Sequence, residues 1–167
     1  MKKIAIIYGS STDHTKSVAE EIANRLGEFS PEVKNVADCS AEDFTAPDFL
    51  ILGTSTWGCG DLQDDWADMI DRLGSADLSG KQIALFGLGD SSSFSDTFVD
   101  GMGELYEFFT GKNCQIVGSV SSDGYSFESS RAIVDDDFVG LALDVDNEDD
   151  LTSERLNAWL GSFKSSL

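Results

Sequence analysis

Basic residues are scarce in this sequence: 11 Lys and Arg stand against 31 Asp and Glu among 167 residues, for a formal charge of -20. That balance excludes sequence-independent binding to DNA or RNA and adhesion to an anionic membrane surface, and any protein partner is expected to present a basic face. Cysteine and histidine are sparse as well. Cys39, Cys59 and Cys114 are odd in number, fall in no CxxC spacing, and have only His14 to join them. Neither a metal site nor a disulfide framework is therefore expected. Apolar runs are short. The run 4–8 behind Met1-Lys2-Lys3 stops too soon for a signal peptide, no cleavage pattern follows it, and no segment is long enough to span a bilayer. The expected compartment is the reducing cytoplasm.

What is present is an alternation of two hydrophobic periods. Short apolar, β-branched runs at 3–8, 48–54 and 82–87, with weaker ones at 32–36 and 115–120, read as buried strands. Between and after them, apolar residues recur at helical spacing: Val18, Ile22 and Leu26; Leu62, Trp66, Ile70 and Leu73; Phe98, Met102, Leu105 and Phe109; Leu156, Trp159, Leu160 and Phe163. Each set forms one stripe that can cover a sheet. With 41% hydrophobic residues the chain can build one sizeable core, so residues 1–167 are expected to be one domain. Right-handed crossovers then give an α/β fold, a doubly wound five-stranded parallel sheet in the order 2-1-3-4-5 with helices on both faces. The polar, Ser-rich stretch 121–138 precedes a further apolar run, 139–143, and reads as an inserted loop that interrupts the last strand.

Three polar loops follow strands and open helices, and these carry the candidate chemistry. In 10–15 the residues Ser10, Ser11, Thr12 and Thr15 supply hydroxyls at a helix N-terminus, which with free backbone amides suits a phosphate dianion without a cationic side chain. The P-loop lysine is missing, so this is not a Walker site. Asp13 and His14 complete the loop. The segment 54–60 leaves the third strand with Trp57 in a loop, a large aromatic face that a flat group would cover. In 87–94, glycines let backbone approach a ligand and Phe94 adds a second aromatic. Acid crowds around these loops: residues 35–71 hold nine Asp or Glu and no Lys or Arg, and residues 82–111 add five more, also unopposed.

These motifs together resemble the flavodoxin family in its long-chain form, over essentially the whole length. They are Gly9-Ser10-Ser11-Thr12-x-x-Thr15, Thr56-Trp57-Gly58-x-Gly60-x-Leu62-Gln63-Asp64-Asp65-Trp66, Gly87-x-Gly89-Asp90 with Phe94, and the closing stretch 138–144 through Asp150-Leu151-Thr152. The resemblance implies a non-covalent FMN, its phosphate on Ser10, Ser11, Thr12, Asp13, His14 and Thr15 and its ring between Trp57 and Phe94. It further implies contacts from Thr56, Gly58, Cys59, Gly60, Leu88, Gly89, Asp90, Thr97 and Asp146 to the ribityl chain or the ring edge. Where the family commonly carries glycine and tyrosine, this chain has Asp13 and Phe94. The Gly58 carbonyl is expected to accept a hydrogen bond from flavin N5. The implied function is a low-potential one-electron carrier that shuttles between semiquinone and hydroquinone. It would be a monomer taking electrons from a flavodoxin reductase to acceptor enzymes, each docking through a basic face, with no catalytic residue of its own. The alternative is an FMN-dependent NAD(P)H:quinone reductase of the same fold.

Overall fold

The computed structural model describes residues 2–9, 13–57 and 61–167, with backbone alone at Trp57 and Asp61. In chain order its elements are β1 (Ile4–Gly9), α1 (Asp13–Arg25), β2 (Glu32–Asn35), α2 (Glu42–Thr45), β3 (Phe49–Trp57), β4 (Asp61–Leu62), α3 (Asp64–Arg72), β5 (Gln82–Leu88), α4 (Asp100–Gly111), β6 (Gln115–Val117), β7 (Val120–Ser121), β8 (Ile133–Val134), β9 (Asp137–Phe138), β10 (Leu141–Leu143) and α5 (Asp149–Phe163). The main sheet runs β2-β1-β3-β5 in parallel pairs, and both β6 and β10 pair with the outer edge of β5. β6 lies beside Gln82, Ile83 and Ala84, while β10 lies beside Phe86, Gly87 and Leu88. One strand position is thus filled by two pieces of chain. Taken as a single fifth strand, they give the order 2-1-3-4-5 that the sequence predicts.

Successive strand residues face opposite sides, and here both sides are dry, which is why the runs are apolar rather than alternating. Ile4, Ile6, Tyr8, Phe49, Ile51, Ala84 and Phe86 pack with Val18 and Ile22 of α1 and with Leu156, Trp159 and Phe163 of α5. Ala5, Ile7, Leu50, Leu52, Ile83 and Leu85 face the other way, onto Trp66 and Met69 of α3 and Met102, Leu105 and Phe109 of α4. Each helical stripe read from the sequence therefore covers the sheet, two helices per face. Trp66 is fully buried, and its indole N–H is satisfied by donating to the Gly53 carbonyl at 2.8 Å.

Element ends depart from the sequence pattern for local reasons. The strand predicted to stop at Thr54 continues to Trp57, because Thr56 and Trp57 pair with Leu62 and Asp61 of β4 in an antiparallel ladder. The third helix starts at Asp64, since the Gln63 side chain accepts from the Trp66 amide at 3.2 Å and caps the first turn. β6 ends at Val117 rather than continuing to 120, because Gly118 takes φ +81, outside any strand. The insertion is itself ordered: β7, β9 and β8 form a small antiparallel sheet, with Asp135 and Asp136 at φ 53 and 71 in the tight turn between β8 and β9. Its Phe138 and Ala132 are fully buried in the α3/α4 face of the core.

Return of the chain from this insertion to the sheet edge depends on Gly140. A Cβ there would overlap the Leu85 carbonyl, so only glycine lets β10 come alongside β5. Gly140→Ala is expected to destabilise the chain by about 1–3 kcal/mol through this forced shift. Urea unfolding checks it, as a lowered midpoint with an unchanged slope.

Candidate functional site

The carboxyl ends of β1, β3, β5 and β10 share one rim of the parallel sheet, and a cleft of about 260 Å³ opens there. β1 connects to β2 on one side, and β3 then lies on its other side. That reversal of strand order is where an open α/β sheet leaves room for a ligand. Four segments wall the cleft. His14 and Thr15 come from the first turn of α1, Ser55 and Thr56 from the end of β3, and Val145 and Asp146 from the segment after β10. The end of β5 and the loop after it provide Leu88, Gly89, Asp90, Phe94, Thr97 and Phe98.

Nine of the residues expected from the sequence meet in this cleft: His14, Thr15, Thr56, Leu88, Gly89, Asp90, Phe94, Thr97 and Asp146. Asp13 opens α1 with its side chain exposed, outside the cleft lining. Ser10, Ser11, Thr12, Gly58, Cys59 and Gly60 lie outside the described residues, as does the Trp57 side chain. Ser55, Phe98 and Val145 also line the cleft and were not anticipated. Phe98 reads as core from its helical spacing and is core, 1% exposed, but one edge serves the cleft. Val145 had a usable signal, as an apolar residue between Asp144 and Asp146 just past a strand end.

The polar chemistry of the cleft is unbalanced. Thr15 Oγ1, Ser55 Oγ and Thr97 Oγ1 are buried and have no hydrogen-bond partner among the described residues. An unsatisfied buried hydroxyl costs roughly 1–3 kcal/mol, so three on one cleft mark a place where a polar ligand completes the structure. Thr56 differs, because its Oγ1 accepts from the Gly101 amide at 2.9 Å and joins the end of β3 to the first turn of α4. Among the described residues no lysine or arginine lines the cleft. An anionic ligand group would be held there by neutral donors and by the amino end of α1.

Phe94 stands out as a large apolar side chain 46% exposed at the rim, a face available to a flat ring. Its loop is held from both ends. At the near end, Asp90 Oδ1 accepts from the amides of Ser92 at 3.0 Å and Ser93 at 2.9 Å, and from Asn147 Nδ2 at 2.8 Å. These donors, the Ser93 amide foremost and Asn147 next, hold the Asp90 carboxyl below the usual carboxylate range. Its anchorage of the turn is complete above the ordinary carboxylate pKa and is lost as pH falls through the lowered folded value. At the far end the insertion straps the loop: Ser95 O accepts from the amides of Glu128 and Ser129, and Asp100 Oδ1 accepts from the Arg131 amide at 2.8 Å. Between them Val99 sits at φ 49, a conformation that a β-branched residue adopts only under constraint.

Comparison with known proteins bears on all of this. A family model described as Flavodoxin matches residues 6–159. The chain is 41% identical over 166 residues to a flavodoxin of Synechococcus elongatus, covering 99% of this chain and 98% of that protein. It is 43% identical over 164 residues to flavodoxin 1 of Azotobacter vinelandii, covering 96% and 94%. Among solved structures, that of Fusobacterium nucleatum flavodoxin bound to flavin mononucleotide superposes with a TM-score of 0.94 at 32% identity, covering 100% of this chain and 99% of that one.

The orphaned hydroxyls give a test that needs no ligand. Thr15→Val keeps the side-chain shape and removes a buried unsatisfied donor. It is expected to stabilise the ligand-free chain by about 1 kcal/mol in urea unfolding. A loss of stability would mean that the hydroxyl has a partner in the folded chain.

Proposed function

The chain belongs to the flavodoxin family, and on that premise we propose that residues 1–167 act as a single FMN-binding domain that carries electrons one at a time between redox proteins. The observation that carries this reading is the trio of buried hydroxyls at Thr15, Ser55 and Thr97, unpartnered among the described residues, around a cleft with an exposed aromatic at its rim. Uncharged donors at one end and a ring face at the other fit a flavin with a phosphorylated tail. Flavodoxins are themselves among the α/β proteins that bind FMN at such a switch point.

Bound FMN supplies a ring that takes up and releases single electrons. The chain's own residues bind it, orient it and set the field around it. Thr15 and the amino end of α1, with Ser10, Ser11 and Thr12, would hold the phosphate, and His14 lines the cleft next to Thr15. Phe94 and Trp57 would take the two ring faces. Loss of the tyrosine hydroxyl common in the family leaves Phe94 its stacking surface. Leu88, Gly89 and Phe98 keep one wall apolar, and Thr56, Thr97, Asp146 and the segment 58–60 would meet the tail or the ring edge. Asp90 and Asp146 add negative charge to the lining. A unit charge about 10 Å away opposes a further negative charge by roughly 1.7 kcal/mol at an effective dielectric of 20. Two such groups favour a low potential for the last electron added.

The surplus of acids over bases supports docking to the basic faces of a reductase and of acceptor enzymes, with the carrier itself a monomer. Among the described residues no helix is long and apolar enough to cross a membrane. Cys39 and Cys114 are free thiols, and burial pushes the Cys39 thiol up to about 11, which agrees with inert cysteines in a reducing cytoplasm. No observation in the cleft favours the quinone reductase alternative.

Titration of the purified chain with FMN is expected to quench flavin fluorescence to a one-to-one endpoint. Riboflavin, which lacks the phosphate, should bind at least about tenfold more weakly. A chain that does not retain FMN overturns the reading. Docking has its own test: the rate of reduction by a basic reductase should fall as ionic strength rises from about 0.01 to about 0.15 M. A rate indifferent to salt removes electrostatic steering from the account.

A further inference from the structure

β5 and β10 part at the cleft. Their last main-chain bond runs from the Gly89 amide to the Leu143 carbonyl at 3.0 Å, and the next residues on the two strands are Asp90 and Asp144. Asp90 lines the cleft, whereas Asp144 is fully buried behind it. A carboxylate removed from water persists only when its oxygens are filled by donors, and among the described residues none of the bonds to Asp144 comes from a cation. Its oxygens accept instead from the Ser91 amide at 3.2 Å, the Ser91 hydroxyl, the Asn147 amide at 3.1 Å, and Asn147 Nδ2 at 3.0 and 3.1 Å. The same Nδ2 donates to Asp90 Oδ1 at 2.8 Å. A single side-chain amide is therefore shared between two carboxylates that would otherwise repel.

We propose that Asp144 and Asn147 are positioning residues for the flavin site: Asp144 fixes Ser91 and Asn147, and Asn147 holds the Asp90 turn that sets Phe94 at the rim. The triple serine 91–93 takes its meaning from this arrangement. Ser91 docks on Asp144, and Ser92 and Ser93 give their amides to Asp90. The Phe94 amide then donates to the Asp90 carbonyl at 2.9 Å, so the ring's place follows from the turn. Side chains thus extend the β5–β10 pairing past the point where the backbones separate. The ligand in this inference rests on the FMN reading, but the mechanical link does not.

Asn147→Ala tests the link in the full chain with two readouts. Without FMN, amide hydrogen exchange at Ser92, Ser93 and Phe94 is expected to quicken about tenfold; with FMN, the Kd is expected to rise about tenfold, the scale of one hydrogen bond to a charged group. In an Asp90→Ala background the same change should alter the Kd by less than about twofold, because the Asn147–Asp90 bond through which Asn147 acts on the turn is already gone. Asn157→Ala, which removes an exposed partner of Arg25 on α5, is the control and should alter neither readout. Unchanged exchange in Asn147→Ala, or an equal loss of affinity with and without Asp90, overturns the proposal. Failure of every variant, and of the parent, to bind FMN would sink the flavin reading, while the exchange rates would still decide the link.

Discussion

Burial of β1, β3 and β5 on both faces is the constraint from which the rest of this molecule follows. A strand with no wet side cannot end its hydrogen bonding in water except at its tips. The polar groups of Thr54, Ser55, Thr56 and the glycines after Leu85 are therefore pushed to one rim. Parallel pairing puts the carboxyl ends of the strands on that same rim. Helices need a return path, and two on each face satisfy it while sealing Ile6 and Ile51 on one side and Leu50 and Leu85 on the other. The cleft is what remains where the loops leaving this rim cannot close over one another.

Much of the cleft's precision lies in how its loops are tied down rather than in the lining itself. The loop after β5 has no regular pairing across its length, yet its near end is pinned by Asp90 and Asn147 and its far end by the strap from Glu128 to Arg131. The inserted sheet reaches the core through Phe138 and reaches the loop through that strap. Val99, at φ 49, stands between the loop and α4. Strain of this kind persists only where surrounding contacts over-determine the backbone, and Val99 is fully buried with Phe98 beside it.

The parts of this architecture legible in the sequence are those that repeat. Ile4 to Tyr8 and Phe49 to Leu52 are unbroken apolar runs, and Trp66-Met69 and Leu156-Trp159-Leu160 keep helical spacing, so strands, helices and their order could be read. Of the nine expected residues that meet in the cleft, His14, Thr15 and Phe94 stand in loops that leave the same ends of those strands, while Thr56, Leu88, Gly89, Asp90, Thr97 and Asp146 are implied by the resemblance to the flavodoxin family. What escaped was non-repeating. The extension of β3 to Trp57 depends on β4, a partner two residues long. The start of α3 depends on one glutamine side chain, and the end of β6 at Val117 depends on φ at Gly118. Ser55 was missed because a serine beside two threonines carries no periodic signal, and its role rests on having no partner, which only coordinates can reveal.

An acidic chain that is expected to hold an anionic group without cationic help invites a physical objection, and the structure indicates how it is met. The carboxylates near the cleft are not scattered: Asp90 is turned into its own loop amides, Asp144 is buried and saturated with donors, and Asp13 projects to solvent. The first turn of α1 meanwhile presents Thr15, buried and without a partner among the described residues, on the cleft side. Negative charge is thus fixed by hydrogen bonds at defined points while the donor-rich end of the cleft is kept free of lining acids. Asp146 is the lining carboxylate for which no side-chain bond holds it away from the cleft among the described residues, so it acts on a bound ring through its field. The same separation lets the outer acids steer partners without dislodging what the inner hydroxyls hold, because exposed charges are screened within roughly 8–10 Å at physiological salt and buried donors are not.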